Sequence, residues 1–501
     1  MSHTPDSKNK PQKRRSSGGS GKNGMRAEAG NANRNPKPAN KQPQRVKTSR
    51  EVALDTLVRV SESGAYSNLQ LNRALQDAQL SRPDAALTTE LVYGTIQRQR
   101  TLDDVLARLV TKGFDKLAPW VLQLLRLSAY QLLYLDRIPA HAAVNEGVQI
   151  AKKRGHAGIS GMVNGVLRNL ERRLDELRQL PGSQARKASE RIGIAESYPD
   201  WIVDRWIKRY GEQTAEAMCE AGNEPPHSSL RVNTLRISRQ EALDKLKEAG
   251  YYAMPSELAP KGIVVGGGGN LAQTEGYASG LWTLQDESSM LVAEVCAPKP
   301  GDRVLDCCAA PGGKTTHLAE LMQNQGTVIA NDVHAHKRQL IEDQASRLGL
   351  SAVDPVTGDA SELSSRFETA SFDVVLLDAP CSGLGVIRRK PEIKWTKLPG
   401  DIAEIAAIQK RLLKEAASLV KPGGTLVYST CTIAPEENEE QVAQFLAAHS
   451  AYELDSNWPA DVLSKLREAG VADDRFRGEL QLLPQQFGSD GFYIARLRRK
   501  A

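Results

Sequence analysis

Val304-Leu305-Asp306-Cys307-Cys308-Ala309-Ala310-Pro311-Gly312-Gly313-Lys314-Thr315 begins as a short apolar run and passes through small residues into an amphipathic stretch. That order reads as strand, tight turn and helix. In an open α/β sheet, ligands bind where strands end, and small residues there let the main chain approach a cofactor closely. The N-terminus of the following helix offers free N–H groups and a partial positive charge for a carboxylate. The segment carries neither G-x-G-x-x-G nor the Walker spacing of lysine.

Working outward, β-branched runs recur at Arg303 to Cys307, Thr327 to Asn331, Asp373 to Leu377 and Thr425 to Ser429. Amphipathic stretches separate them, one presenting Ile402, Ile405, Leu412, Ala416 and Leu419 on a single face. Parallel strands joined by helical crossovers follow, so 281–501 reads as a Rossmann-like α/β domain. Residues 197–280 mix helical pattern (Trp201 to Tyr210, Arg239 to Gly250) with the extended piece Ser229 to Asn233 and a turn at Gly266 to Gly269, as in a small α+β module. Residues 176–196 are charged, contain Pro181-Gly182-Ser183 and read as a linker. Between about 48 and 175 the apolar spacing is almost wholly helical; Pro119 is set to open one helix, and Pro139 breaks the chain before another. No internal repeat is evident.

Residues 1–47 form a basic tail. Its first 46 residues hold 11 Lys/Arg against Asp6 and Glu28, a net +9 within a chain whose total is +6. Almost nothing in it is apolar, so disorder is expected. Such a tail either attracts a phosphate backbone through counterion release or serves as a solubilising extension. No run of about 18 uncharged apolar residues and no apolar secretory segment is present, which predicts a cytoplasmic protein with no membrane partner. The six cysteines form no C-x-x-C pair and have no histidine beside them at ligand spacing, so no metal site is expected.

Chemistry concentrates at predicted strand ends. Asp332 stands where an acidic side chain accepts from ribose hydroxyls. Asp359 is either an acceptor for an adenine amine or a solvent-exposed aspartate. Asp378-Ala379-Pro380-Cys381 puts a carboxyl and a thiol at one strand end, and Cys431 follows Tyr428-Ser429-Thr430 at another. A lone cysteine is commonly a small buried apolar residue; two at sheet-strand ends suggest covalent chemistry. Ring carbon 5 of a cytosine is too weak a nucleophile to accept a methyl group until a thiol adds at carbon 6 and makes it enamine-like. Asp378 is the candidate to polarise that base, its protonation state left open.

These motifs resemble the bacterial RNA 5-methylcytosine methyltransferase family of the RsmB/Sun/Fmu type, with a match covering about 48–500. The resemblance rests on Gln285-Asp286-Glu287-Ser288-Ser289, Cys308 to Lys314, Asp332, Asp359, Asp378-Ala379-Pro380-Cys381, Thr430-Cys431-Thr432 and Asp490-Gly491-Phe492-Tyr493. It implies a class I fold using S-adenosyl-L-methionine, with Cys308, Ala309, Ala310, Pro311, Gly312, Gly313, Lys314, Asp332, Asp359 and Asp378 lining the cofactor site. It also implies Cys431 as nucleophile and Cys381 as the thiol serving release. Ala140-His141-Ala142-Ala143-Val144-Asn145-Glu146 and Val163 to Asn169 are similar to the RNA-binding NusB fold, which favours small-subunit ribosomal RNA, undermodified or unassembled, as substrate.

His141 is expected to cap or pack within the bundle. Arg388-Arg389-Lys390 and Lys394-Trp395 are expected to touch RNA, and Arg231 and Asn233 are further candidates for it. Competing readings are the same chemistry on transfer RNA, and a noncatalytic RNA-binding assembly factor. Labelled-methyl incorporation into small-subunit RNA separates enzyme from factor.

Overall fold

The computed structural model describes residues 47–64, 67–266 and 270–501. The tail expected to be disordered lies outside them, except Lys47. The N-terminal part is a helical bundle around Pro119–Tyr134, a helix buried on nearly every side through Val121, Leu124, Leu125, Leu127 and Leu132. Eight buried leucines and valines from Ser49–Ser63, Arg82–Gln97 and Gln99–Ala107 close on it. Thr48 opens the bundle with a capping box: its hydroxyl accepts from the Glu51 N–H at 3.3 Å and its own N–H donates to the Glu51 carboxylate at 3.0 Å. The Arg126 guanidinium grips Asp103 through two bonds of 2.7 Å.

The stretch expected to be a linker is a packed joint. Its helix Ala188–Ala195 buries Ile192 completely, and the Thr101 hydroxyl donates to the Ile194 carbonyl at 2.6 Å. Its charged residues lie on the outward face, which is why composition alone suggests a connection.

The small module is an antiparallel sheet of β1 (Ser228–Val232), β2 (Tyr252–Pro255), β3 (Gly262–Gly266) and β4 (Trp282–Leu284) in the order β2-β3-β1-β4. Helix Arg239–Glu248 covers one face, packing Leu243 and Leu246 on Leu230, Val232 and Ile263. β4 lies past residue 280, so the module outruns its expected end. Its strand is only three residues long and pairs Thr283 with Arg231.

The C-terminal sheet contains β5 (Arg303–Asp306), β6 (Thr327–Asp332), β7 (Val353–Thr357), β8 (Phe372–Asp378), β9 (Val420–Thr430), β10 (Tyr452–Leu454), β11 (Glu479–Leu482) and β12 (Phe492–Arg499). The order is β10-β12-β9-β8-β5-β6-β7, with β11 paired to β12. β5 to β9 run parallel and β12 is antiparallel to β9. Parallel strands covered on both faces need continuous apolar runs, and Val374, Val375, Leu376 and Leu377 are all buried. The sequence of strands reverses between β5 and β8, the point at which such folds open a crevice. Among the described residues, no helix is long and apolar enough to cross a membrane.

Candidate active site

Asp306, Asp332 and Asp378 are the last residues of β5, β6 and β8, and Cys431 directly follows β9. The register of a parallel sheet therefore delivers four reactive side chains to one edge. After Asp306 the chain turns, tied by the Cys307 N–H to the Leu376 carbonyl at 2.9 Å and the Ala309 N–H to the Asn331 carbonyl at 2.8 Å. Gly312 has φ +102°, and a Cβ there would stand 3.3 Å from the backbone of Ile341, so only glycine suits the turn. No side chain caps helix Gly313–Leu321, which leaves its first-turn N–H groups for a ligand.

Two cavities meet at this edge. The larger, about 740 Å³, is bounded by Asp332, Asp359, Cys308 and Cys381 among others; the smaller, about 390 Å³, by Ala309, Pro311, Gly313 and Lys314. Cys308, Ala310, Asp378 and Cys431 line both. Every residue expected at the cofactor thus faces one cavity or the other except Gly312, which shapes the turn.

Polar groups without partners test whether a nucleoside cofactor with an amino-acid end fits. Asp306 is 1% exposed; its Oδ2 accepts from the Thr315 hydroxyl at 2.7 Å, while Oδ1 has no protein partner. Burial, reinforced by the nearby Asp378 charge, pushes its carboxyl up to about 7. Oδ1 of Asp332 accepts from the His334 N–H at 2.9 Å and lies 3.6 Å from the Lys337 ammonium. Asp359 accepts from the Ser361 N–H and hydroxyl, both at 2.8 Å through Oδ1, and these bonds lower its pKa. Each aspartate keeps a second oxygen for ligand donors, so the cleft fits S-adenosyl-L-methionine. The sequence reading missed Asp306; its place as the last strand residue before the small-residue turn was the available signal.

The Sγ atoms of Cys381 and Cys431 stand 3.3 Å apart, both half-buried in the cleft wall. The contact with Cys381 lowers the Cys431 pKa against burial and the Asp378 charge, helped by the Lys314 and Lys390 charges. Cys381 is pushed well up by that same bond, by burial and by the Glu437 and Asp378 carboxylates. Their mutual contact and the neighbouring charges thus favour the thiolate at Cys431 over Cys381. Asp378 receives the Lys314 ammonium at 2.9 Å on Oδ2 and the Ser429 hydroxyl at 2.8 Å on Oδ1. Burial opposes the Lys314 charge, but Asp378 outweighs it and raises the Lys314 pKa.

The two thiol-bearing loops are stitched together behind the sulfurs. The Ser382 N–H donates to Glu437 at 2.8 Å, Ser382 and Thr432 hydroxyls meet at 2.7 Å, and the Gly385 N–H donates to the Cys431 carbonyl at 3.1 Å. Gln409 Nε2 links the Pro380 carbonyl (2.9 Å) to Glu437 (3.0 Å). Glu437 and Gln409 escaped the sequence reading because neither sits in a loop with a recognisable chemical motif.

Most residues expected to touch RNA are structural instead. Arg388 donates to the carbonyls of Ala221, Pro484, Gly488 and Ser489. Arg389 bridges Asp286 at 2.7 Å and Asp490 at 2.8 Å. Lys394 is fully buried, donating to Asn223 at 2.8 Å and the Gln97 carbonyl at 3.1 Å, and Trp395 donates to the Ile96 carbonyl at 2.8 Å. Arg231 and Asn233 are buried as well. Lys390 alone of this group is exposed at the larger cavity. A dense local cluster of basic residues looks like an RNA patch in one dimension; in three it locks the catalytic domain to its neighbours. His141 neither caps nor packs: Pro139 holds the cap position and the imidazole is exposed.

Comparison with known proteins converges on this geometry. Residues 293–498 match the model of the 16S rRNA methyltransferase RsmB/F family, 47–172 the NusB family, and 198–272 the ferredoxin-like domain of RsmF/B-like methyltransferases. The chain is 44% identical to the probable ribosomal RNA small subunit methyltransferase B of Bacillus subtilis, over 91% of this chain and 99% of that one. The corresponding Synechocystis protein is 38% identical over 90% and 99%. The crystal structure of PH0851 superposes with a TM-score of 0.74 at 28% identity, covering 90% of this chain and 98% of that one. A relative 44% identical over 99% of its own length, together with the matching RsmB/F methyltransferase model, means that the chain belongs to the ribosomal RNA small subunit methyltransferase B family.

Proposed function

We propose that this chain transfers a methyl group from S-adenosyl-L-methionine to carbon 5 of a cytosine in small-subunit ribosomal RNA, acting in the cytoplasm on RNA that is undermodified or not yet assembled. The observation that carries the reading is the 3.3 Å approach of Cys381 and Cys431, which both line the larger cavity, with Cys431 lining the smaller one as well. One extruded nucleoside can touch both sulfurs there.

Cys308 to Lys314, Asp332, Asp359 and Asp378 would hold the cofactor, with Asp306 as an added acceptor. Bound S-adenosyl-L-methionine supplies the methyl group as a sulfonium electrophile. The Cys431 thiolate adds to carbon 6 of the ring, and the electron pair moves to make carbon 5 nucleophilic. Asp378 holds the ring nitrogen or exocyclic amine, its other contacts to Lys314 and Ser429 fixing the carboxyl in place.

Release needs a base for the proton on carbon 5. In the resting site the Cys431 charge holds the Cys381 proton on; once Cys431 is bonded to carbon that charge is gone, and Cys381 gives its proton to solvent more readily and becomes a base. Cys381 then takes the carbon 5 proton, the electron pair reforms the double bond, and Cys431 leaves. Purified protein with labelled cofactor and undermodified small-subunit RNA should incorporate label on a cytosine. Absence of label under conditions that bind both ligands would overturn the reading.

A further inference from the structure

Arg231 lies in β1, at the centre of the small sheet, yet its side chain leaves that sheet and ends in the catalytic domain. It is completely buried. Nε donates to Glu320 at 3.1 Å and Nη2 to the other Glu320 oxygen at 2.8 Å. Nη2 also donates to the Thr316 hydroxyl at 3.1 Å, and Nη1 to the Gly313 carbonyl at 2.6 Å and to Gln285. All five N–H donors of the guanidinium are therefore used.

Three of those acceptors, Gly313, Thr316 and Glu320, lie on the helix that follows the small-residue turn. The fourth, Gln285, lines the smaller cavity and sits 3.9 Å from where a Gly313 Cβ would be. The helix has no side-chain cap at Gly312. With no cap to fix its first turn, the helix is held laterally by a group from another module. Desolvating a guanidinium is costly, and a site that fully satisfies it in one geometry resists displacement.

We infer that Arg231 is a positioning residue for cofactor binding: from the small sheet it sets the first turn of helix Gly313–Leu321 and Gln285 against the cleft. The inference rests on the cofactor cleft proposed above. It gives the small module a task in cofactor binding, since the turn would keep its binding geometry only while that module is docked.

The test is cofactor affinity of the full-length protein by calorimetry, beside RNA affinity and thermal unfolding. Arg231→Met with Glu320→Leu removes the buried pair without stranding a charge, a replacement that commonly preserves folding. It should bind S-adenosyl-L-methionine about ten- to hundredfold more weakly, because a shift of about 1 Å in a binding group is enough for that. RNA affinity and unfolding temperature should stay near the parent's. Should the double variant not fold, Arg231→Lys keeps the charge for Glu320 but cannot reach Gly313 and Gln285 together, and the same loss of cofactor affinity is expected. Parental cofactor affinity in the folded variant overturns the inference, as does a loss confined to RNA binding. Asp332→Ala separates the two layers: if it leaves cofactor affinity unchanged the cleft assignment falls and the inference with it, whereas if it abolishes binding while the Arg231 variants do not, only the role of Arg231 fails.

Discussion

Cys381 and Cys431 are fifty positions apart in the chain, and their sulfurs are 3.3 Å apart in space. One follows β8 and the other β9, neighbours paired so that Asp378 faces Ser429. What distinguishes these two chemically identical groups is therefore what surrounds each.

Replacing each thiol should give opposite phenotypes. Cys431→Ser is expected to abolish methylation, because the serine hydroxyl is a far weaker nucleophile than a thiolate. Cys381→Ser should trap a protein–RNA adduct that survives a denaturing gel. Seeing the adduct in the Cys431 variant instead would reverse the assignment.

Alkylation by iodoacetamide, read by mass spectrometry as a function of pH, reports the Cys431 thiolate directly. Its hydrogen bond from Cys381 lowers the pKa, so the midpoint of the parent should fall below the ordinary value near 9. Cys381→Ala removes the donor and should move the midpoint up. Lys314→Met should also raise it by removing a stabilising cation; an unchanged midpoint in both variants would contradict the electrostatic account.

The Asp490 carboxyl is raised to about 7 by burial and by Asp286, against the pull of Arg389. Its folded value exceeds its unfolded one, so the native chain keeps a proton that the unfolded chain releases between about pH 4 and 7. The associated stability is whole below that window and is lost as pH climbs through 7. A shift of this size sets an upper bound of about 4 kcal/mol. Asp490→Asn should therefore compare more favourably with the parent at pH 8 than at pH 5 in denaturant unfolding; the opposite trend refutes it.

Lys394 brings its amine into a fully buried site whose partners are a carbonyl, an amide and the Tyr198 ring 3.8 Å away, and burial drives its pKa well down. Trp395 beside it packs on the helical bundle. Trp395→Ala should cost about 3–5 kcal/mol of unfolding free energy. Lys394→Met should leave RNA affinity unchanged in filter binding, whereas a true phosphate contact would weaken it and flatten its salt dependence.

Local pattern was enough to determine much of this molecule. Strand, turn and helix around Asp306 to Thr315, the helical bundle, the parallel strands and the placing of Asp332, Asp378, Cys381 and Cys431 at strand ends all follow from periodicity, small residues and turn chemistry, which act over a few neighbours. Tertiary structure alone decided which of the basic residues meet solvent. Arg231, Arg388, Arg389 and Lys394 have the composition of a nucleic-acid patch, but their donors end on carbonyls, amides and carboxylates up to 297 positions away. Burial of a charge depends on which distant segments close over it, and no spacing along the chain encodes that. The same holds for the two thiols: their positions at strand ends were readable, but the contact between them, which lowers the Cys431 pKa and raises that of Cys381, is assembled only in the folded chain.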